Sequence, residues 1–123
     1  LRITNALSSL VLNRTEKTIV NISSEAGSIA DCWRTGWFGY CMSKAANNMQ
    51  SALVHNNIQK LGGKVFAIHP GHVATYMRGH LDTTAKITPD VSAEGILHVV
   101  LDMPHPINSR PLYLDYTGKE LPW

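Results

Sequence analysis

The sequence has 123 residues, of which 44% are hydrophobic and 16% are charged. This balance favours a packed core over disorder, and a formal net charge of +2 is too small to indicate a nucleic-acid partner. Neither a signal peptide nor an apolar run long enough to span a membrane is visible, and Cys32 and Cys41 fit neither a metal-ligand pattern nor a disulfide framework. We therefore expect a cytoplasmic protein that does not contact a membrane.

The first two predicted elements are a helix and a buried strand. Residues 1–13 place apolar side chains on one helical face. Thr18–Ile22 is a short apolar run rich in β-branched residues, which is typical of a parallel strand. Ser24 and Glu25 follow where this strand ends. Because ligands of open α/β sheets bind at the carboxyl ends of the strands, this turn is a candidate binding position.

A long helix is predicted next, from about Gly39 to Lys60, and Gly62–Gly63 provides its stop. Its first turns carry Tyr40 and Lys44, whose spacing of four residues places both side chains on one face. A nearby ammonium stabilises the phenolate form of a tyrosine. Such a pair can act as a general acid and base in carbonyl and alcohol chemistry. The spacing also arises by chance, so its meaning depends on the flanking segments.

The strand–helix alternation continues after the long helix. Lys64–His69 is predicted to be a second buried strand, and it leads into the loop 70–75. The stretch 77–90 is polar and irregular, as expected of a flexible segment that covers a substrate.

A third helix and a third strand complete the prediction. Ser92 is predicted to be the N-cap of this helix, with Glu94 in its first turn. The helix is expected to extend to about residue 102, before Pro104 and Pro106. Pro111–Tyr116 then supplies the third strand.

The segments NISS, YCMSK and HPGHVAT, in this order, resemble the short-chain dehydrogenase/reductase family. The resemblance covers nearly all of the chain, and residues 111–123 are similar to the last strand and tail of many small members. It implies an α/β fold, namely the C-terminal half of a Rossmann-type doubly wound parallel sheet with the order strand–helix–strand–helix–strand. The N-terminal nucleotide-binding half is expected to be missing, so that residues 1–123 form the catalytic half of a single domain.

The resemblance also implies roles for individual residues. Ser24 matches the catalytic serine that hydrogen-bonds the substrate oxygen, and Tyr40 matches the catalytic acid/base. Lys44 matches the lysine that stabilises the tyrosinate, and both Tyr40 and Lys44 are expected to contact the cofactor at its nicotinamide ribose. The loop that packs on the nicotinamide and bonds its carboxamide is matched by Pro70, Gly71, Val73 and Thr75. The implied cofactor is NAD or NADP, and the residues that choose between them belong to the absent half.

Two parts of the family pattern are not present in the sequence. No glycine-rich dinucleotide fingerprint occurs, and the asparagine of the catalytic tetrad is expected upstream of Leu1, because Asn5 lies too close to the first strand. A dinucleotide-binding domain needs roughly twice this length. We therefore expect the chain by itself neither to bind cofactor tightly nor to turn over substrate.

The expected partner is a small carbonyl or alcohol substrate. The loop 31–39 is rich in aromatic residues, which either pack the loop over the sheet or form the walls of an apolar pocket. His69 and His72 lack a third ligand in the sequence, so no metal site is predicted. The candidate substrate contacts are Glu25, Trp33, Trp37, His72 and Met77.

The long helix is also a candidate subunit interface. Met42, Met49 and Leu53 recur at near-helical spacing, which predicts either a core or an interface position. Residues 47–59 match the region through which members of the family dimerise, so a homodimer or homotetramer is a further expectation.

The sequence thus predicts an oxidoreductase that transfers hydride between NAD(P)(H) and a carbonyl or alcohol substrate, with Tyr40 as the acid/base. Two alternatives remain open. One is a truncated, non-catalytic remnant that acts only by association. The other is an epimerase or dehydratase of the same family, against which the lack of an extra substrate lobe after Thr75 argues.

Overall fold

Three α-helices and three strands alternate in the part of the chain that the structure describes, in the order predicted from the sequence. The computed structural model describes residues 1–103 and 110–123. The strand–helix–strand–helix–strand order is confirmed, and one further helix precedes it. The elements are α1 (Arg2–Leu12), β1 (Thr18–Ile22), α2 (Phe38–Ile58), β2 (Lys64–His69), α3 (Pro89–Leu101) and β3 (Leu112–Asp115).

The strands form one parallel sheet in the order β1-β2-β3. The register pairs Ile22 of β1 with Ile68 of β2, and His69 of β2 with Asp115 of β3. The carboxyl ends of all three strands therefore lie at the same edge of the sheet. This edge is where open parallel sheets bind their ligands.

Alternate residues of the strands pack against helices on opposite faces of the sheet. On one face Phe66, Ile68 and Leu114 form a buried cluster with Val99 of α3. On the other face Val65 packs against α2 in a second cluster, whose other buried members are Val54 and Ile58. Successive side chains of a strand point to opposite faces, so a β2 that is buried on both sides is the expected result of its nearly continuous apolar sequence.

The end of α2 is as predicted. After Ile58 the chain tightens into a short 3-10 helix, Gln59–Leu61, and Gly62 adopts a φ of 80°. The left-handed conformation costs a glycine little, because glycine has no Cβ. The chain can therefore reverse and enter β2 at Lys64.

The predicted start of α3 is wrong. Thr88 is the N-cap, and its hydroxyl accepts a hydrogen bond from the Val91 amide at 3.3 Å. Pro89 follows in the first turn, a position where its missing N–H is no loss. Ser92, the predicted cap, is instead buried within the helix, and Glu94 lies beyond Asp90, the acidic residue of the first turn. The predicted stops Pro104 and Pro106 lie outside the described residues.

The core alternative for the apolar residues of α2 is also wrong. Met42, Met49 and Leu53 are 65%, 62% and 62% exposed. A near-helical spacing shows only that side chains share a face, not what covers that face. Among residues 1–103 and 110–123, no helix is both long enough and apolar enough to cross a membrane.

Candidate active site

The predicted site residues converge on one cleft at the carboxyl edge of the sheet. The cleft has a volume of about 1290 Å3. The turn after β1, the start of α2 and the loop after β2 form its walls. The predicted residues that line it are Ser24, Glu25, Trp33, Trp37, Tyr40, Lys44, Pro70, Gly71, His72, Val73, Thr75 and Met77.

Ser24 is held at the start of a 3-10 helix that follows β1. This helix, Glu25–Gly27, begins with Ser24 as its cap, and the Ser24 Oγ accepts a hydrogen bond from the Ala26 amide at 3.2 Å. Because that contact uses a lone pair, the hydroxyl proton can still be donated to a ligand. The Ser24 carbonyl accepts from the Gly27 amide at 2.9 Å and from the Tyr113 hydroxyl at 2.5 Å.

Tyr40 and Lys44 lie on the same face of α2, as their spacing predicts. The Lys44 Nζ is 5.7 Å from the centroid of the Tyr40 ring. It donates a hydrogen bond at 3.1 Å to the carbonyl of Ile22, the last residue of β1. The Asn47 side-chain amide donates to the same carbonyl at 3.2 Å. The ammonium is therefore anchored between the strand end and the tyrosine.

The loop 70–75 is held close to α3. Gly71 has a φ of 86°, and a Cβ added to it would lie 2.7 Å from the Ile87 Cδ1. The left-handed backbone conformation favours glycine here. The buried hydroxyl of Ser92 donates to the Pro70 carbonyl at 2.6 Å. Ser92 thus fixes the position of the loop instead of capping a helix.

The irregular segment that follows forms main-chain hydrogen bonds with this loop. We call residues 72–87 the clasp loop. The amide of Lys86 donates to the His72 carbonyl at 3.0 Å, the amide of Ala74 to the Ile87 carbonyl at 2.9 Å, and the amide of Asp82 to the Thr75 carbonyl at 3.1 Å. Of the stretch 77–90 that was predicted to be irregular, residues 77–88 contain no helix or strand, whereas Pro89 and Asp90 belong to α3. Main-chain hydrogen bonds hold this segment in place.

The Asp82 carboxylate is the polar centre of the clasp loop. It accepts hydrogen bonds from the Thr84 hydroxyl at 2.6 Å and from the Thr84 amide at 3.0 Å. The His72 Nε2 lies 2.9 Å from it, and the Arg78 guanidinium lies 3.2 Å from it. The hydrogen bonds from Thr84, and then that from His72, hold the pKa of Asp82 well below its ordinary range.

Trp37 and Trp33 form an exposed aromatic wall beside Tyr40. The Trp37 and Tyr40 rings meet edge to face, with centroids 5.9 Å apart and an interplanar angle of 78°. Trp37 is 55% exposed and Trp33 is 73% exposed, so the indoles line the cleft instead of packing the loop onto the sheet. Trp37 adopts a φ of 62°, an outlier for a bulky residue of the kind that often marks a functional position.

A small charged cluster lies beside Trp33. The Arg34 guanidinium stacks over the Trp33 ring at 4.6 Å from its centroid and forms an ion pair of 2.7 Å with Glu25. The His69 Nε2 is 3.8 Å from the same carboxylate. Burial lowers the pKa of the His69 imidazole, although the Glu25 charge opposes that shift. In the described part of the chain, no group of three His, Cys, Asp or Glu side chains could hold a metal ion.

Sequence reasoning missed several residues that shape the cleft. Arg34 bonds to Glu25, which is 9 residues away, and Tyr113 bonds to Ser24, which is 89 residues away. No local sequence pattern reveals either contact. Asp82 carried a local signal, because an aspartate two residues before a threonine favours a turn closed by its own side chain. Ser92 carried a misleading one, since serine is also a common N-cap.

Comparison with known sequences shows which protein family this chain resembles. A family described as short chain dehydrogenase matches residues 1–86. The protein called C-signal of Myxococcus xanthus is 34% identical over 123 residues, which cover 100% of this chain and 71% of that protein. A 1-hydroxy-2-glutathionyl-2-methyl-3-butene dehydrogenase of Rhodococcus sp. (strain AD45) is 32% identical over 103 residues, which cover 83% of this chain and 45% of that protein.

Comparison with solved structures agrees. The NADPH-bound carbonyl reductase from chicken fatty liver superposes with a TM-score of 0.83 and 30% identity over 98% of this chain and 51% of that one. A carbonyl reductase from Pseudomonas aeruginosa PAO1 superposes with a TM-score of 0.77 and 26% identity over 99% of this chain and 50% of that one. The chain therefore spans about half the length of these reductases.

Proposed function

Because this chain belongs to the short-chain dehydrogenase family, we propose that it is the catalytic half of an oxidoreductase that transfers hydride between NAD(P)(H) and a carbonyl or alcohol substrate. One observation carries the proposal: Ser24, Tyr40 and Lys44 line a single cleft at the carboxyl ends of three parallel strands. Each of these groups is of the type that carbonyl reduction requires, namely a hydrogen-bond donor, a proton donor and a cation.

The lining of the cleft fits a nicotinamide dinucleotide. A lysine ammonium and hydroxyl groups suit ribose hydroxyls and a carboxamide, and the excess of basic over acidic side chains favours an anionic ligand. We propose that Tyr40, Lys44, Pro70, Gly71, Val73 and Thr75 hold the nicotinamide end. When bound, this group supplies or accepts the hydride. The charged residues of the lining are Arg34, Lys44, Arg78, Lys86 and Lys119 on the basic side, and Glu25, Asp82 and Asp115 on the acidic side.

The chain's own residues then handle the oxygen and its proton. The Ser24 hydroxyl donates a hydrogen bond to the substrate oxygen and stabilises its developing negative charge. Tyr40 transfers its phenolic proton to that oxygen. The Lys44 ammonium stabilises the phenolate left behind, and because it has three N–H donors, it can do so while still bonded to the Ile22 carbonyl. In the reverse direction Tyr40 accepts the proton of an alcohol.

We propose that the aromatic wall sets the kind of substrate. Trp33 and Trp37 present exposed indole surface next to Tyr40, and Met77 adds a flexible apolar side chain to the same cleft. Flat apolar surfaces of this type favour a substrate with an aromatic or other apolar group beside its carbonyl. Glu25 and His72 are the proposed polar contacts of the substrate, and both line the cleft.

We further propose that residues 1–123 are the C-terminal part of one NAD(P)-binding domain. The share of the solved reductases that the chain covers supports this, at 51% and 50%. The lack of a glycine-rich dinucleotide fingerprint in the sequence supports it as well. Under this proposal the isolated chain turns over little substrate, because the pyrophosphate site belongs to the other half.

The proposal is tested on the product of the full reading frame that contains this chain. NADH and NADPH oxidation is followed by absorbance with a series of aromatic and aliphatic aldehydes and ketones. We expect carbonyl-dependent oxidation of at least one nucleotide, which Ser24→Ala and Tyr40→Phe abolish nearly completely. A protein that binds neither nucleotide would instead support the non-catalytic remnant, and isomerisation or dehydration of a sugar without net nucleotide oxidation would support the epimerase or dehydratase alternative.

A further inference from the structure

We propose that Tyr113 is a positioning residue for Ser24, and that the C-terminal tail, residues 119–123, holds Tyr113 in place for this role. The inference rests on the proposed function of Ser24 as the donor to the substrate oxygen. Tyr113 is not among the proposed catalytic residues.

The Tyr113 hydroxyl bonds directly to the main chain of Ser24. Tyr113 lies in β3 and is 1% exposed, and its hydroxyl donates to the Ser24 carbonyl at 2.5 Å across 89 positions of sequence. The same carbonyl also accepts from the Gly27 amide. Burial raises the pKa of the Tyr113 hydroxyl, so it keeps its proton and remains a donor. The turn that orients the Ser24 side chain is thus held by a hydrogen bond from β3 as well as by a hydrogen bond within the turn itself.

The tail forms contacts with Tyr113 and with Ala30, which lies at the end of the segment 24–30 that begins with Ser24. After a turn with Gly118 at a φ of 89°, the chain reverses, and the Leu121 amide donates to the Tyr113 carbonyl at 2.8 Å. The Trp123 ring packs on the Tyr113 ring, with centroids 5.1 Å apart. The Trp123 carbonyl accepts from the Ala30 amide at 2.9 Å. Residues 24–30 are therefore tied at one end to Tyr113 and at the other to the tail.

A packing role alone does not require the hydroxyl. A phenylalanine would fill the same space and keep its contact with Trp123, so the two residues differ only in the hydroxyl, which bonds to Ser24 and also interacts with the Asn48 side chain. Without that bond, the Ser24 carbonyl loses one of its two partners among the described residues and keeps the Gly27 amide, so the turn gains freedom to rotate. Reaction rates are sensitive to small displacements of groups that must meet the reacting atom.

The test compares Tyr113→Phe with the unmodified product of the full reading frame. We expect kcat to fall by about 10-fold, while the Kd of the nucleotide changes by less than about 2-fold, because Ser24 serves the substrate oxygen and not the cofactor. We also expect hydrogen exchange of the Ala26, Gly27 and Ser28 amides to rise by about 10-fold. Trp123→Leu, which leaves the Tyr113 hydroxyl in place, should give the same pattern.

Two controls separate positioning from other effects. Tyr76→Phe removes the hydroxyl of a tyrosine that is 70% exposed and does not line the cleft, and it should change neither kcat nor exchange. Val99→Ala opens the core beneath α3 and should lower the Tm without lowering kcat at a temperature where the protein stays folded.

Unchanged kcat and unchanged exchange in Tyr113→Phe would overturn the inference, as would an equal loss of kcat in Val99→Ala. If the unmodified protein oxidises no nucleotide, the proposed function fails. The exchange measurement still decides whether Tyr113 fixes the Ser24 turn, so the two failures are distinguishable.

Discussion

Gly27 packs directly on the main chain of Lys44. A Cβ added to Gly27 would lie 2.8 Å from both the carbonyl carbon and the carbonyl oxygen of Lys44, and 2.9 Å from the Asn48 amide nitrogen. The turn that carries Ser24 therefore touches α2 at the residue that is proposed to support Tyr40. This contact fixes the distance between the two parts of the site, since neither the turn nor the helix backbone can move aside independently.

The first prediction concerns this contact. Gly27→Ala should lower the free energy of unfolding by about 1–3 kcal/mol, because the added methyl group meets backbone and cannot be relieved by rotating a side chain. It should also lower turnover, because the turn moves away from α2. Urea denaturation measures the first effect. Gly39→Ala is the matched control: its Cβ meets nothing within 4 Å, and alanine in a helix should stabilise by up to about 1 kcal/mol. Equal effects of the two changes would contradict the packing argument.

Tyr40→Phe should reduce kcat by about 100-fold or more in the complete enzyme, because the proton donor is lost. The ring keeps its edge-to-face contact with Trp37, so the fold should change little. The nucleotide Kd should also change little, because Lys44 and the loop 70–75 keep their proposed contacts with the cofactor. Steady-state kinetics and nucleotide titration measure the two quantities. A mutant with nearly normal kcat would remove Tyr40 from the mechanism.

Lys44→Ala should weaken both turnover and nucleotide binding, each by about 10-fold or more, because the ammonium is proposed to serve the phenolate and the ribose together. Lys60→Ala removes an exposed lysine at the far end of the same helical segment and is the control for charge alone. A loss of turnover in Lys44→Ala without any loss of nucleotide affinity would show that the lysine has only one of the two roles.

His69 should make stability depend on pH. Burial lowers the pKa of the folded imidazole, whereas the unfolded chain binds a proton near the ordinary value of about 6.5. Below pH 7 the unfolded state therefore binds more protons than the folded state, and the free energy of unfolding falls as the pH drops through about 6.5. His69→Gln should flatten this slope between about pH 7 and pH 5. An unchanged slope in His69→Gln would show that this imidazole is not responsible for the pH dependence.

Trp37 should influence both substrate choice and stability. Trp37→Ala and Trp37→Gly remove the same indole, so both should raise the KM for a bulky aromatic ketone more than for a small aliphatic one. The two variants should differ in stability, with glycine more stable by about 1 kcal/mol, because only glycine adopts a φ of 62° without strain. Kinetics with the two ketones and thermal unfolding test the two parts separately. An alanine variant as stable as the glycine variant would show that the backbone stores no strain.

The elements and the location of the site followed from local sequence patterns. Apolar β-branched runs marked β1 and β2, and a glycine stop marked the end of α2. Since carboxyl ends of parallel strands meet at one edge, residues that follow different strands, such as Ser24 and Thr75, had to lie near one another. These features could be predicted because their physical causes act within a few residues or follow from the sheet topology alone.

Contacts between distant segments were not predictable in this way. Thr88 and Ser92 are both suitable N-caps, and the decision depends on a hydrogen bond from Ser92 to Pro70, which is 22 residues away. The bond from Tyr113 to Ser24 leaves no trace in either local sequence. The exposure of Met42 could not be read from helical spacing either, because a period identifies a face but not its neighbour.

The clasp loop has a consequence for affinity. Its residues are already joined by main-chain hydrogen bonds and by the Asp82 carboxylate. A flexible loop loses conformational entropy when a ligand immobilises it, and this loss weakens binding. Because residues 72–87 have given up much of that freedom during folding, most of the favourable free energy of a contact with Val73 or Thr75 is retained in the affinity for the ligand.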